Sequence, residues 1–447
     1  MSSAGGNGSH GPGWASPQEA MTAPREEFLY VTGLYEGTGV PEPDFLAVVG
    51  VHPDSDTYGR IIHRTPMPNV GDELHHFGWQ TCSSAHHCCS MERQCLVIPG
   101  FRSSRVHVVD VKTDPRRPQI TKVIEPAEII RKTGYTRPHT VHCMPGGVVV
   151  MSMLGDAEGN TPGGFAVLDA STFDVLGRWE NNKGDQALMY DFWYQPRFNV
   201  LVSSEWAAPN TFEGGFQLED VGAGKYGHRL HVWDLEQHRR TQSIDFGEQG
   251  LVPLEIRGFH EAARPGGFVC AALSSTLWHW HPQEGGWAAD KVAEIEPRDV
   301  PGWPIPVPAL ITDQVLSLDD RYLYCSDWLH GDLRQYDVTD PAHPRLNGQV
   351  WLGGLLGEHA HPNGRKLTGG PQMLQLSLDG RRLYVTNSLY STWDNQFYPG
   401  LESWLLKIDV GEDGAMRLDP HFYVDFDRAR AHEMRLPSGD PTTEIWA

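Results

Sequence analysis

The chain has 447 residues, of which 39% are hydrophobic and 21% charged, so it can bury a sizeable core. Its formal net charge of −21 argues against a nucleic-acid partner or an anionic membrane surface, because both need clustered Lys and Arg. No apolar run approaches the roughly 18–20 residues of a membrane span, so we expect no integral membrane association.

The first residues of the chain are predicted to form a disordered tail. Residues 1–13 lack the basic start and apolar stretch of a secretory signal. We therefore assign 1–13 to a tail and 14–447 to a single domain. The seven cysteines are an odd count, and without a signal they predict reduced thiols in a cytoplasmic protein. The oligomeric state is left open.

Short β-rich runs bounded by Gly, Pro, Asp and Asn recur along the chain and predict an all-β fold. Five runs carry an Asp at the next-to-last position, where its side chain can bond the backbone of the following turn. They are VHVVDV from Val106, FAVLDA from Phe165, LHVWDL from Leu230, LRQYDV from Leu333 and LLKIDV from Leu405. Each follows an apolar strand, and two looser copies bring the number of units to seven.

The units start near residues 45, 95, 148, 199, 267, 321 and 382, and spacings of this size are typical of propeller blades. The sequence therefore predicts a seven-bladed β-propeller. A closed ring protects strand edges, so we expect the N- and C-terminal strands to share a blade. The C-terminal segment TTEIWA, residues 442–447, is predicted to be the strand that fastens the ring.

A polar residue recurs in the segment that leads into each unit, where it is predicted to face the central channel. The set is His75 or His76, His139, Asp191, Glu255, Asp313, Gln372 and His432. The histidines belong to three adjacent blades, so they should gather on one arc of the channel mouth. Imidazole suits copper, zinc, iron and nickel, and the pattern predicts a metal site there.

Other candidates are less specific. His142 follows His139 by three residues and is a candidate for a further ligand or an orienting bond. Asp313, Asp319 and Asp320 could bind calcium, although turn chemistry explains the last two. The stretch from Cys82 through His86, His87, Cys88 and Cys89 lacks the paired spacing of a structural zinc site.

Long blocks of the chain resemble the selenium-binding protein family, whose members include methanethiol oxidases. They include PMPNVGDELHHFGWQTCSS from Pro66, HTVHCMPGG from His139, YDFWYQPRFNVLVSSEWAAPN from Tyr190, GGPQMLQLSLDGRRLYVTNSLYSTWDNQFYP from Gly369 and AHEMRLPSGD from Ala431. The blocks run in the same order from about residue 14 to the C-terminus.

This resemblance implies a copper-dependent enzyme that oxidises methanethiol with oxygen and water to formaldehyde, hydrogen sulfide and hydrogen peroxide. It places the copper on His75, His76, His139 or His142, and His432. We expect a small thiol and oxygen as partners. We also expect His142 or His330 to move protons, because imidazole titrates near neutrality. Cys82 is a candidate redox partner.

Two departures from the family pattern concern sulfur and selenium. The chain reads Cys82-Ser83-Ser84-Ala85 where family members often read CSSC. Gly59 stands where some animal members carry the cysteine taken as the selenium attachment point, which argues against covalent selenium binding here.

Two alternatives to the oxidase stay open at this stage. One is a carrier of selenium or sulfur species that does no chemistry. The other is a lactonase-type hydrolase that holds calcium on carboxylates. Metal identity separates the three functions.

Overall fold

The fold is seen in a computed structural model that describes residues 12–86 and 91–447. Most of the predicted tail, and also His87, Cys88 and Cys89, lie outside the described residues. Pro12 is already buried, and the Trp14 backbone N–H donates to Ser83 Oγ at 2.9 Å.

Seven four-stranded antiparallel sheets follow one another in the described chain, and they form the predicted seven-bladed propeller. The first three blades follow one another from the N-terminus. Blade 1 holds β1 (Phe28–Leu34), β2 (Phe45–Gly50) and β3 (Arg60–Pro66); blade 2 holds β4 (Gly78–Trp79), β5 (Cys95–Pro99), β6 (Val106–Asp110) and β7 (Gln119–Ile124); blade 3 holds β8 (Tyr135–Met144), β9 (Val148–Asp156), β10 (Gly164–Asp169) and β11 (Val175–Arg178).

The next four blades follow in chain order. Blade 4 holds β12 (Phe192–Gln195), β13 (Val200–Ser203), β14 (Arg229–Asp234) and β15 (Arg239–Asp245); blade 5 holds β16 (Pro253–Gly258), β17 (Gly267–Ala271), β18 (Thr276–Gln283) and β19 (Gly286–Glu294); blade 6 holds β20 (Ile311–Leu316), β21 (Tyr322–Asp327), β22 (Asp332–Asp337) and β23 (Arg345–Trp351); a hairpin holds β24 (His359–Ala360) and β25 (Lys366–Leu367); blade 7 holds β26 (Leu374–Leu376), β27 (Arg382–Thr386), β28 (Trp404–Val410) and β29 (Met416–Asp425).

Blade 1 is completed by β30 (Arg430–Arg435), which pairs with β1, so the two ends of the chain share a blade as predicted. The prediction that TTEIWA is the fastening strand is wrong. Asp440 accepts bonds from the Thr442 and Thr443 hydroxyls, both at 2.8 Å, and these bonds stabilise a turn instead of a strand. The segment packs against the N-terminal region, where Trp446 Nε1 donates to the Trp14 carbonyl at 2.9 Å.

The first strand of each blade, or β30 in blade 1, lies innermost. Innermost strands contact those of neighbouring blades, for example β12 with β16 and β16 with β20. They are buried along almost their whole length, whereas the outer strand β15 alternates between exposed and half-buried residues. Polar residues on innermost strands are therefore held around the central channel.

Five short helices lie in the connections of the described chain. They are α1 (Pro17–Ala20), α2 (Pro126–Thr133), α3 (Pro209–Phe212), α4 (Leu218–Gly222) and α5 (Ser391–Phe397). α3 and α4 fall between β13 and β14, which explains the long spacing of the fourth unit. No helix within residues 12–86 or 91–447 combines the length and apolar character needed to span a membrane.

Candidate metal centre

The sequence places histidines on three adjacent innermost segments, and the fold brings them together. His432 lies in β30, His139 lies in β8, and His75 and His76 lie just before β4. In β8 the register shifts between Pro138 and Val141, so His139 and Thr140 lie in a β-bulge. A bulge re-aims a side chain, and here it belongs to the strand that presents His139 to the channel.

The four imidazoles form one buried cluster. Ring nitrogens of His75, His76 and His139 all lie within 4.8 Å of one another. The His432 ring stacks on His75 with a centroid separation of 3.8 Å, and the His76 and His139 centroids are 4.0 Å apart. The predicted histidines thus gather in one cluster, and His75, His76 and His139 lie close enough together to hold one ion.

Three of these histidines present a ring nitrogen without a hydrogen bond. Nε2 of His76, of His139 and of His432 has no hydrogen-bond partner among the described residues, although each atom is buried. A buried nitrogen that lacks a partner is costly unless a ligand satisfies it. The donor set of several imidazole nitrogens therefore fits a metal ion of the copper and zinc type.

The opposite nitrogens are fixed by the protein. His432 Nδ1 donates to the Ser388 carbonyl oxygen at 2.7 Å. His139 Nδ1 lies 3.0 Å from Thr140 Oγ1, and that hydroxyl donates to Asp191 Oδ1 at 2.6 Å, so it accepts from His139. In both residues Nε2 is consequently the lone-pair nitrogen, which is the atom a metal needs.

Burial keeps the cluster neutral at physiological pH. It lowers the pKa of His75, His76 and His139 well below the usual value, and neighbouring histidines lower these pKa values further. Burial lowers the pKa of His432 to about 4, although the bond to Ser388 opposes the shift. Neutral imidazole is the form that binds metals.

Buried carboxylates and arginines lie beside the histidines. Glu255 Oε1 is 3.7 Å from His76 Nε2, and Glu433 Oε2 is 3.6 Å from His76 Nδ1. Arg257 contacts Asp191, Glu255 and Asp313 at 3.0–3.3 Å. Burial raises the pKa of Glu255 well above its usual value, with Asp191 adding to the shift and Arg257 opposing it.

Arg257 and Arg435, which lie beside the histidines, were not among the predicted site residues. A signal for them exists in the sequence, because Glu255-Ile-Arg257 and Glu433-Met-Arg435 repeat the same spacing. Residues two apart on a strand face the same side, so each arginine can reach its own glutamate. Arg435 Nη1 indeed lies 2.6 Å from Glu433 Oε1.

An aromatic wall covers the other side of the cluster. The Phe101 ring lies 5.1 Å from His75, and the Tyr190 ring lies 4.0 Å from His139. Tyr390 and Phe212 pack on Phe101 at 5.6 and 5.9 Å. The histidines therefore have aromatic rings on one side and charged side chains on the other.

The other predicted histidines lie in different surroundings. His142 packs edge-on against Phe192 and Trp193 with centroids 5.1 and 5.4 Å away, and burial lowers its pKa to about 3. His330 Nε2 donates to the Val307 carbonyl at 3.0 Å. Proton transfer by either residue stays a prediction.

The prediction of reduced thiols is wrong for Cys82, which forms a disulfide with Cys143. The two residues are 61 positions apart, but neighbouring blades bring their Cα atoms to 6.3 Å, within the usual range for a disulfide. An odd cysteine count cannot reveal such a pair. Cys95, Cys270 and Cys325 are free and buried in the described part of the chain.

The three aspartates suggested for calcium have separate partners. Asp313 contacts Arg257, Asp320 accepts from the His260 backbone N–H at 2.8 Å, and Asp319 accepts from Ser317 Oγ at 2.5 Å.

Gly59 has φ +68° in the turn that precedes β3, which is a conformation that glycine adopts readily.

Known proteins are similar to this chain over nearly its whole length. A methanethiol oxidase of Xenopus tropicalis and one of Homo sapiens are each 50% identical over 98% of this chain and 99% of theirs. Selenium-binding protein 2 of Mus musculus is 48% identical over 98% of each chain.

Solved structures agree with the propeller fold. A hypothetical selenium-binding protein of Sulfolobus tokodaii superposes with a TM-score of 0.94 at 47% identity, covering 97% of this chain and 98% of that one. A periplasmic gluconolactonase of Pseudomonas aeruginosa, at 12% identity and a TM-score of 0.58 over 91% of this chain and 98% of its own, shares the fold alone. The model of the 56 kDa selenium-binding protein family matches residues 8–447, and the chain belongs to this family.

Proposed function

We propose that this chain is a copper-dependent methanethiol oxidase. The reaction converts one molecule each of methanethiol, oxygen and water into one each of formaldehyde, hydrogen sulfide and hydrogen peroxide. The observation that carries the proposal is the cluster of neutral buried histidines with free ring nitrogens. Relatives at about 50% identity are named methanethiol oxidase, which identifies the chain as an enzyme.

His75, His76, His139 and His432 would hold the copper. Bound copper supplies a soft site for the thiolate sulfur and a route for electrons to oxygen. The protein's own residues prepare this site. Ser388 and Thr140 orient two of the rings, and Glu255 and Glu433 flank His76.

The apolar wall suits the substrate. Phe101 and Tyr190 lie against the histidines and leave an apolar surface for the methyl group. They also keep bulk water away, which strengthens electrostatic interactions within the site.

The two alternative functions fit the site less well. Calcium takes oxygen ligands, whereas the cluster offers nitrogen. A carrier that uses the Cys82 thiol would first need reduction of the bond to Cys143.

Elemental analysis and a turnover assay on the same preparation test the proposal. We expect bound copper and release of formaldehyde, sulfide and peroxide in equal amounts from methanethiol. Removal of copper should abolish turnover, and copper alone should restore it. Calcium as the only bound ion would favour the hydrolase, and a protein that binds no metal in the channel would favour the carrier.

A further inference from the structure

Two neighbouring cavities lie between the surface and the histidine cluster. The inner cavity is lined by His75 together with aromatic and aliphatic side chains, among them Tyr190, Tyr390 and Trp393. The outer cavity is apolar, has a volume of about 250 Å³, and reaches the surface beside Leu218 and Ile305, which are 45% and 46% exposed.

The two cavities share a wall, which we call the neck. Phe216, Leu273, Leu310 and Trp393 line both of them. The Phe216 and Trp393 rings are 5.4 Å apart across this region. A molecule that passes from the outer to the inner cavity must therefore pass these four side chains.

The neck is held by bonds between the connection that joins α3 to α4 and the helix α5. The Phe216 N–H donates to Gln396 Oε1, and Gln396 Nε2 donates to the Phe216 carbonyl, both at 2.8 Å. Trp393 Nε1 donates to the Phe212 carbonyl at 3.1 Å. These bonds hold the backbone of Phe216 and the ring of Trp393 in place, so the position of the neck is set by the folded chain.

The inner cavity is small and lined mostly by apolar side chains. Its volume of about 20 Å³ accepts roughly one group of the size of a water molecule. Two hydroxyls on its wall, those of Tyr226 and Tyr390, are buried without a hydrogen-bond partner in residues 12–86 and 91–447. A methyl group fits this space, and a longer alkyl chain has to extend into the neck.

We propose that these cavities are the path by which an unbranched alkyl thiol reaches the histidines, and that the neck limits its chain length. The inner cavity takes the alkyl group while the sulfur lies at the histidine cluster. This inference rests on the proposed function and adds to it the route of the substrate and the side chains that limit its length. A hydrophobic pocket discriminates by roughly 10–200-fold for each added methylene.

The first experiment measures kcat/KM for methanethiol, ethanethiol and 1-propanethiol with copper-loaded enzyme. Phe216→Ala removes a half-buried ring from the neck and should raise the ratio of propanethiol to methanethiol about tenfold. Leu176→Ala truncates an exposed side chain of blade 3 and is the matched control. An unchanged ratio in Phe216→Ala, with methanethiol still oxidised, would overturn the path and leave the proposed function intact.

The second experiment does not use activity. Metal-free crystals are pressurised with xenon, which occupies dry apolar cavities. Xenon should enter both cavities of the wild-type protein, and Leu273→Trp should exclude it from the inner one while leaving the outer one filled. Failure of xenon to enter the inner cavity of the wild type, or its entry past Trp at position 273, overturns the path. Absence of thiol oxidation by copper-loaded wild type would overturn the proposed function separately.

Discussion

His432 donates its Nδ1–H to the carbonyl oxygen of Ser388, at a distance of 2.7 Å. A carbonyl can only accept, so the lone pair of this imidazole must lie on Nε2. Ser388 follows β27 in blade 7, whereas His432 lies in the strand that closes blade 1. Ring closure therefore sets the tautomer of a predicted metal ligand.

Substitution of the clustered histidines should remove copper without unfolding the protein. We expect His139→Ala, His432→Ala and a His75→Ala/His76→Ala double variant each to lower copper affinity at least tenfold and to abolish thiol oxidation. Each imidazole removed is a nitrogen donor for which no other side chain substitutes. Copper content and thiol-dependent peroxide release should be measured on one preparation.

His228→Ala is the control for these variants. His228 is partly exposed and bonds Asp245 at 2.7 Å, away from the cluster. It should retain copper and activity. Normal copper binding by His139→Ala and His432→Ala would contradict the site and the proposed mechanism together.

The repeat and its polar position could be predicted because both depend on local sequence. Strand alternation and turn residues mark each blade, and His139 and His432 occupy equivalent innermost positions. The Cys82–Cys143 disulfide could not be predicted, since it depends on the spacing between blades. The same holds for the neck, where Phe216 and Trp393 meet although 177 residues separate them in sequence.

The wrong prediction that TTEIWA forms a strand has a different cause. Its residues have strand propensity, but hydrogen bonds to the Asp440 side chain stabilise a turn. In addition, Glu444 accepts the Ser83 N–H at 2.9 Å. Tertiary contacts of this kind override propensity.

The disulfide should contribute to stability more than to metal binding. Cys82→Ser should lower the free energy of unfolding by about 2–4 kcal/mol, because the unfolded chain loses a cross-link. Copper content should stay as in the wild type if histidines alone hold the ion. Denaturant unfolding and copper analysis check the two parts.

Activity decides the role of Cys82. If Cys82→Ser binds copper normally and turns over methanethiol, the sulfur has no part in the chemistry. Complete loss of oxidation with copper still bound would instead make the Cys82–Cys143 pair a redox partner. Cys95→Ser, at a free buried cysteine, controls for loss of a thiol alone.

The pH dependence of stability should report on His142. Burial lowers its pKa from 6.5 to about 3, so the unfolded state binds a proton that the folded state excludes as the pH falls below 6.5. Stability contributed by the neutral ring is therefore present above pH 6.5 and lost progressively toward pH 3. Between pH 7 and pH 5 the loss amounts to about 2 kcal/mol.

His142→Phe should not lose this stability of about 2 kcal/mol between pH 7 and pH 5, because phenylalanine does not titrate. Unfolding of metal-free protein at pH 7 and pH 5 gives the comparison, since all other titrating groups are shared. Wild type and variant losing equal stability over this interval would mean that His142 is already charged in the folded state.

Arg257 should be a structural requirement of the channel. Its guanidinium contacts Asp191, Glu255 and Asp313, and all four residues are buried. Removal of one partner from a buried ion pair typically costs 3–5 kcal/mol, because the remaining charge is left uncompensated. Arg257→Met keeps much of the side-chain volume and should lower the free energy of unfolding by about that amount at pH 7.

Arg64→Met is the matched control, since Arg64 pairs with exposed Asp427 at 3.1 Å and the change should cost less than about 1 kcal/mol. Lowering the pH should narrow the gap between Arg257→Met and wild type, because protonated carboxyls no longer need the guanidinium. Denaturant unfolding at pH 7 and pH 5 measures both effects. A loss below 1 kcal/mol for Arg257→Met at pH 7 would show that Arg257 does not balance buried negative charge in the channel.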